Sequence, residues 1–246
     1  MRPIQKIILI SLLLLLNCCI TQFVPHTNEG KKIIVVEGLI TDQPDVNTIK
    51  LSISLPFGTR GDAIPVTGSV VTISDDLGNI FNLTEANPGT YVTDPANFQG
   101  IIGRFYTLHI NTTLDNNNHN YESYPMELKP VPPIDSVYYE KLTLKEDTSG
   151  IPSQEGCQVY LNTHDPTKQS KFYRWEYSET WEFQLPYNEV PDKQCWISSN
   201  SDAINIKNTS ILKEDRIDRY PLTFISNQTD RLKVKYSILV NQYSLN

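Results

Sequence analysis

Phe172 to Leu185 reads FYRWEYSETWEFQL, and this stretch decides the fold class. Tyr173, Trp175, Tyr177, Glu179, Trp181, Phe183 and Leu185 take alternate positions, while Arg174, Glu176, Ser178, Thr180, Glu182 and Gln184 fill the others. A period of two is that of a β-strand, so the aromatic rings gather on one face and the polar groups on the other. The aromatic face has two readings. Buried, it is the core of a sheet. Exposed, Tyr173, Trp175, Tyr177 and Trp181 would form a platform for a ligand or a protein interface, where Trp and Tyr are enriched. The core reading is favoured, with Glu179 as its awkward member, since a carboxylate there needs an Arg or Lys partner or a place at the rim.

Working outward, the same strand chemistry continues. Lys32 to Ile40 reads as a buried strand, and Asn47 to Ser54 alternates as a half-buried one. Further strands are expected at Gly68 to Ser74, Ile80 to Thr84, Thr90 to Thr93 and Arg104 to Asn111. Asp75-Asp76-Leu77-Gly78-Asn79 supplies the residues of a hairpin turn. Val, Ile, Thr, Tyr and Phe dominate the apolar positions, and no long helical periodicity follows the N-terminal segment. About seven short strands in about 100 residues predict a β-sandwich. Lys129 to Asp135 (KPVPPID) marks a boundary, because consecutive prolines cannot join a central strand. A second β-rich region follows from Ser136, with another long strand expected over Arg231 to Tyr243. The chain is thus expected to be all-β, with an N-terminal sandwich over 32–128, a proline-rich linker over 129–135 and a second β-domain over 136–246.

The N-terminus begins MRPIQKIILISLLLLLNCCITQFVP. Arg2 and Lys6 precede an apolar run from Ile7 to Leu16, which is shorter than the about 20 residues a spanning helix needs. This pattern is that of an export signal. Cys18 and Cys19 stand where cleavage would occur, and Leu16-Asn17-Cys18 does not fit an ordinary small-residue cleavage site. The expected reading is a lipoprotein signal over 1–18, acylation at Cys19 with Cys18 as the alternative, and a polar tether over 19–31. Several acyl chains on one cysteine would give a stable membrane anchor. Past the signal only Cys157 and Cys195 remain. Export permits a disulfide between them, and two free thiols are an equal alternative.

The chain is 39% hydrophobic with a net charge of -7, which fits a folded acidic body and argues against a nucleic-acid partner. Catalytic and metal-binding patterns are not legible. The histidines are His26, His109, His119 and His164, and none has the spacing that puts two ligands on one helical face. His119 falls in an Asn-rich loop, and His164-Asp165-Pro166 reads as a turn. G-x-S-x-G, Walker and dinucleotide patterns do not occur. Glu176 and Glu182 share a strand face but lie about 20 Å apart at strand spacing, too far to flank one glycosidic bond. They read as a solvated face. Asp75 to Asn79 lacks the ligand set of a calcium loop. No cofactor and no metal is expected.

Six stretches, taken in order, carry a family resemblance. They are the double-cysteine signal with its Phe23-Val24-Pro25, Val36 to Asp42 (VEGLITD), Pro65-Val66 with Gly68, Phe98-Gln99-Gly100, Pro130 to Val137 (PVPPIDSV), and Tyr173 to Tyr177 with Thr180-Trp181-Glu182. Together they resemble the outer-membrane lipoproteins of Bacteroidota grouped as DUF4249. The resemblance covers essentially the whole chain and brings no catalytic residues. It implies an N-terminal module of immunoglobulin-like or transthyretin-like type and a place beside a TonB-dependent transporter. The expected function is that of a lipid-anchored accessory protein assisting ligand capture or uptake, not an enzyme. The alternative is a structural or adhesive surface module without a small-molecule ligand. Family members usually continue beyond a segment like Tyr236 to Leu245, so the second domain is expected to be incomplete. The residues after Cys19 lack an acidic cluster. Outer-membrane attachment facing the cell surface is therefore expected from family context, with the periplasmic face as the alternative.

Overall fold

The computed structural model describes residues 33–55, 61–145, 153–184 and 194–246. The signal, Cys18, Cys19, the tether and Leu185 lie outside the described residues. The described chain is all-β and contains no helix. The first ten strands are β1 (Ile34–Gly38), β2 (Thr48–Ile53), β3 (Ile64–Pro65), β4 (Val70–Asp75), β5 (Ile80–Asn82), β6 (Thr84–Asn87), β7 (Thr90–Val92), β8 (Phe105–Leu114), β9 (Asn117–Glu122) and β10 (Met126–Glu127). After the prolines come β11 (Ile134–Leu144), β12 (Gln154–His164), β13 (Phe172–Gln184), β14 (Gln194–Asn200), β15 (Asn205–Asn208), β16 (Arg216–Ser226) and β17 (Lys235–Leu245).

Two sheets form from the first ten strands. One has the order β1-β2-β7-β6, with β3 on β2; the other has the order β10-β8-β4-β5, with β9 on β8. Both contribute to one core: Ile49, Leu51 and Tyr91 come from the first sheet, Val71, Ile73, Tyr106 and Ile110 from the second. Two sheets facing each other across shared side chains make a sandwich. Phe98, from the connection before β8, packs edge-on against Phe81 at 4.9 Å and Tyr106 at 5.8 Å. Asp75 closes the β4–β5 hairpin by accepting the N–H groups of Leu77 and Asn79 at 3.0 and 2.9 Å. Gly78 has φ +85°, a value that side-chain-bearing residues adopt only with strain.

The remaining strands form β11-β12-β16 and a second sheet in which β13 is central. β14 and β15 follow one another along one edge of β13, and β17 runs along the other from Glu182 to Phe172. Val159, Leu161, Ile217, Leu222 and Ile225 of the first of these sheets meet Tyr173, Trp175 and Tyr177 of the second in one core. Trp175 lies 4.4 Å from the Tyr220 ring and stacks on Tyr173 at 5.9 Å. The Tyr177 hydroxyl reaches Thr223 at 3.0 Å across the layer.

Several boundaries differ from the sequence reading. The Asn-rich segment after β8 is not a loop. Asp115 and Asn116, with φ of 50° and 63°, make a two-residue turn, and Asn117 onward returns as β9. Both residue types tolerate the left-handed region, so they replace the usual Asn-Gly pair. His119 therefore stands in a strand. β16 escaped detection because Pro221 interrupts it. It is an edge strand, and its register slips beside Pro221, which are the two settings a strand proline allows. The last strand begins at Lys235 rather than Arg231. The proline segment is held rather than free. The carbonyls of Pro132 and Pro133 accept hydrogen bonds from Gln242 at 2.7 Å and Thr163 at 3.0 Å, and that of Pro130 accepts one from Ser170.

Candidate functional site

β13 turns its aromatic face inward. Tyr173, Trp175, Tyr177 and Trp181 are between 0 and 9% exposed, so their rings offer no platform to a ligand. The platform reading of these four residues is corrected: the layer formed by β11, β12 and β16 covers Tyr173, Trp175 and Tyr177, and Trp181 is buried as well. The polar atoms of Tyr173, Trp175 and Tyr177 are used internally, whereas Trp181 Nε1 is buried without a hydrogen-bond partner among the described residues. The Tyr173 hydroxyl donates to Asp215 at 3.0 Å, and Trp175 Nε1 donates to Gln242 at 2.7 Å. Glu179, the awkward member, accepts from Arg231 at 3.0 and 3.2 Å and from the Tyr236 hydroxyl at 2.8 Å. Burial, then the Glu179 carboxylate, pushes the Tyr236 hydroxyl pKa far above its ordinary value.

The opposite face of β13 is not uniformly solvated. Glu176 is half-exposed and paired with Arg174, whereas Glu182 is 1% exposed. Its carboxylate meets Lys235 at 3.3 Å and Gln194 at 3.1 Å, from the strands on either side. Alternation alone could not reveal this, because burial on that face depends on how far β14 and β17 extend beside it.

The titratable clusters resolve one by one. His164 Nδ1 bonds Asp135 at 2.7 Å, while Asp165 turns away and accepts the N–H groups of Thr167, Gln169 and Ser170 at 2.8, 2.8 and 2.9 Å. Burial alone would raise the Asp165 pKa, but these hydrogen bonds together with the Thr167 hydroxyl hold it below the usual carboxylate range. Asp75 is likewise lowered, chiefly by the Asn79 side chain, and its second oxygen is taken by Asn79 and Arg104 at 2.8 Å each. Cys157 on β12 and Cys195 on β14 are both free thiols on different sheets.

The structure also assembles a group that the sequence hid. Ser74 Oγ lies 2.8 Å from His109 Nε2, and His109 Nδ1 lies 3.8 Å from Glu122. Three neighbouring strands bring these residues together, so no local motif announces them. A nucleophile and base in this order also need donors for an oxyanion. β4 lies between β5 and β8, and the N–H that follows Ser74 already donates to Asn79 O at 3.1 Å. The trio is a polar ladder on the face of a sheet.

Two concavities lie where the two sandwiches meet. A cleft of about 410 Å³ is lined by Leu39, Ile40, Ile49, Leu108, Met126 and Leu245, among others. Gly38 forms part of its wall, and a Cβ there would fall 2.3 Å from the terminal methyl of Ile49, so a larger residue would push that side chain aside. The polar groups around the cleft are Ser123, Glu127 with its ion-pair partner Lys129, Ser244 and Asn246. Ser244 Oγ is buried without a hydrogen-bond partner among the described residues. Asn246 donates to Glu127 O at 2.6 Å and ties the end of β17 to β10. On the other side of Leu39 a second cavity, of about 390 Å³, is polar, with Glu37, Lys50, Arg174, Glu176 and Tyr243 in its lining. Burial, then Glu176, raises the Tyr243 pKa. Sequence reading missed this site because its walls come from both ends of the chain.

Fold and site together define an all-β protein of two packed sandwiches with a partly apolar cleft at their junction. The chain belongs to the family described as a domain of unknown function, DUF4249, whose model matches residues 20–246. No curated protein matches it.

Proposed function

We propose that this protein is a lipid-anchored accessory lipoprotein of the outer membrane that assists a TonB-dependent transporter in ligand capture or uptake. The observation that carries the reading is the cleft between the sandwiches. Ligand sites favour such junctions, and they combine an apolar lining with a few convergent polar groups. Leu39, Ile49 and Met126 supply the first, Ser244 and the Glu127–Lys129 pair the second. The basic and apolar N-terminal segment with Cys18-Cys19 supports the anchor, and membership of the family supports the transporter context.

Three measurements test this reading. Cys19→Ser should abolish acyl labelling and release the protein from membranes; labelling lost only in Cys18→Ser would move the anchor by one residue. Mild detergent extraction at native expression should recover the protein with an outer-membrane barrel. Recovery of the lipoprotein alone would remove the transporter. Met126→Trp, which fills the cleft, should impair uptake without altering membrane attachment. If deletion of the gene leaves uptake of every nutrient unchanged but alters attachment of cells, the protein is an adhesive surface module instead.

A further inference from the structure

Two sheet faces that the cores leave outside meet beside Leu39. In β2, Ile49 and Leu51 are buried, so Lys50 between them points the other way, and its cross-strand partner Glu37 projects from the same face. In β13, Trp175 and Tyr177 are buried, so Arg174 and Glu176 project outward. Tyr243, opposite Arg174 on β17, joins them. These five residues line the polar cavity of about 390 Å³, together with Thr41 and Thr48. Arg174 pairs with Glu176, which also accepts a hydrogen bond from the Tyr243 hydroxyl. Glu37 and Lys50 have no ion-pair partner among the described residues. The outer face of β13 and its neighbours runs on from the cavity. Ser178, Thr180, Ser198, Asn200, Ser237 and Asn241 share it, with Leu239 as its apolar member. At its far end Trp196 stands opposite Glu182 and is 55% exposed, although Lys235 lies over its ring at 5.9 Å. The strand covers about 26 Å from Arg174 to Glu182.

We propose that the cavity binds the end of a neutral oligosaccharide, whose further sugars lie along this face toward Trp196. Two carboxylates and two cations balance the walls, so a charged ligand of either sign meets a like charge. Hydroxyl groups both donate and accept, and can use both kinds of wall. Guanidinium and carboxylate groups bond two atoms at once, which suits hydroxyls on neighbouring carbons. Tyr243 and Trp196 each offer a ring to the C–H face of a sugar and a polar edge to its hydroxyls. Between them the side chains are small hydroxyls and amides without formal charge. An extended peptide would bind at a free sheet edge, whereas the walls here are sheet faces. The site lies across Leu39 from the apolar cleft and does not depend on what that cleft binds.

Titration calorimetry of the full chain in mild detergent tests the site, with neutral α- and β-linked hexasaccharides of glucose, mannose and xylose and the matching disaccharides as probes. At least one hexasaccharide and its disaccharide should bind, with an affinity insensitive to salt. Lys50→Met, in the cavity, should weaken both by about tenfold. Trp196→Ala, at the far end, should weaken the hexasaccharide by about tenfold and leave the disaccharide unchanged. Both positions are exposed, so each variant should keep the wild-type circular dichroism. Absence of binding by every sugar, affinity that falls steeply with salt, binding of diglycine in place of the sugars, or binding that neither substitution alters would each overturn the proposal. Disaccharide binding lost in Trp196→Ala but kept in Lys50→Met would overturn it too.

Discussion

In the first sandwich, core side chains are aliphatic or are Tyr91, Phe98 and Tyr106, and the buried polar residues among those described are Asn47, Thr93 and Thr112. The second sandwich buries Asp165, Glu179, Glu182 and Asp215 as well. Its stacked Tyr173, Trp175 and Tyr220 rings fill much of the space, and carboxylates take hydroxyl and guanidinium partners at the margins. The difference teaches where each half is vulnerable. An apolar core responds to lost volume. A core with buried acids responds to lost partners and to pH as well, since an unpaired buried charge costs more than the pair contributes.

The largest expected effect is at Trp175. Trp175→Ala removes a fully buried ring and the bond to Gln242, and should cost about 4 kcal/mol. Leu51→Ala, in the first core, should cost about 3 kcal/mol. Urea denaturation, followed by limited proteolysis, should show Trp175→Ala exposing residues after 136 first and Leu51→Ala exposing those before 129. Identical cleavage patterns would erase the distinction between the halves.

Next is Glu179. Glu179→Leu strands Arg231 and Tyr236 and should cost about 2 kcal/mol, reduced from a fully buried pair because Arg231 is partly exposed. Arg231→Met added to it should recover part of the loss, and a double-mutant cycle measures the coupling. Strict additivity would mean the pair contributes nothing.

Alkaline pH should act on the second half. Tyr173, Tyr220, Tyr236 and Tyr243 all have raised pKa values, with burial as the first cause of each. The sign follows. Below the ordinary tyrosine value of about 10 both folded and unfolded chains are protonated and this stability is fully present. As pH rises above it, the unfolded chain ionises first and stability falls. Ionisation of these four tyrosines should therefore accompany unfolding of residues after 136. Early, non-cooperative ionisation of all tyrosines would contradict the burial. On the acid side Asp165 contributes in the second half, as Asp75 and Glu85 do in the first. The lowered pKa of Asp165 contributes stability that is complete above about 4 and lost as pH falls below it.

The smallest effect is expected in the first half. Gly78→Ala meets open space but forces a side chain onto φ +85°, and should cost about 1 kcal/mol without any pH dependence.

Much of the fold was legible in the chain. The alternation of Phe172 to Gln184 gave the strand and its apolar face, and the demand of Glu179 for a cationic partner is met by Arg231. Asp75 to Asn79 is the expected hairpin turn. β16 was hidden by Pro221, and β9 by a turn without glycine. The platform reading of Tyr173, Trp175, Tyr177 and Trp181 failed because periodicity shows that a face is apolar, not what covers it. The candidate site was illegible for a related reason: Leu39, Met126 and Leu245 come together only when both sandwiches are built.

The sequence by itself determined the all-β class, the family and the alternation of the principal strands, because these depend on composition, order and local period. Tertiary structure decided that the aromatic face is core, that Glu182 is buried, that Ser74 meets His109 and that a cleft opens beside Gly38. Each depends on which strands become neighbours. That choice is made by pairing between segments far apart in the chain, and no local pattern records it.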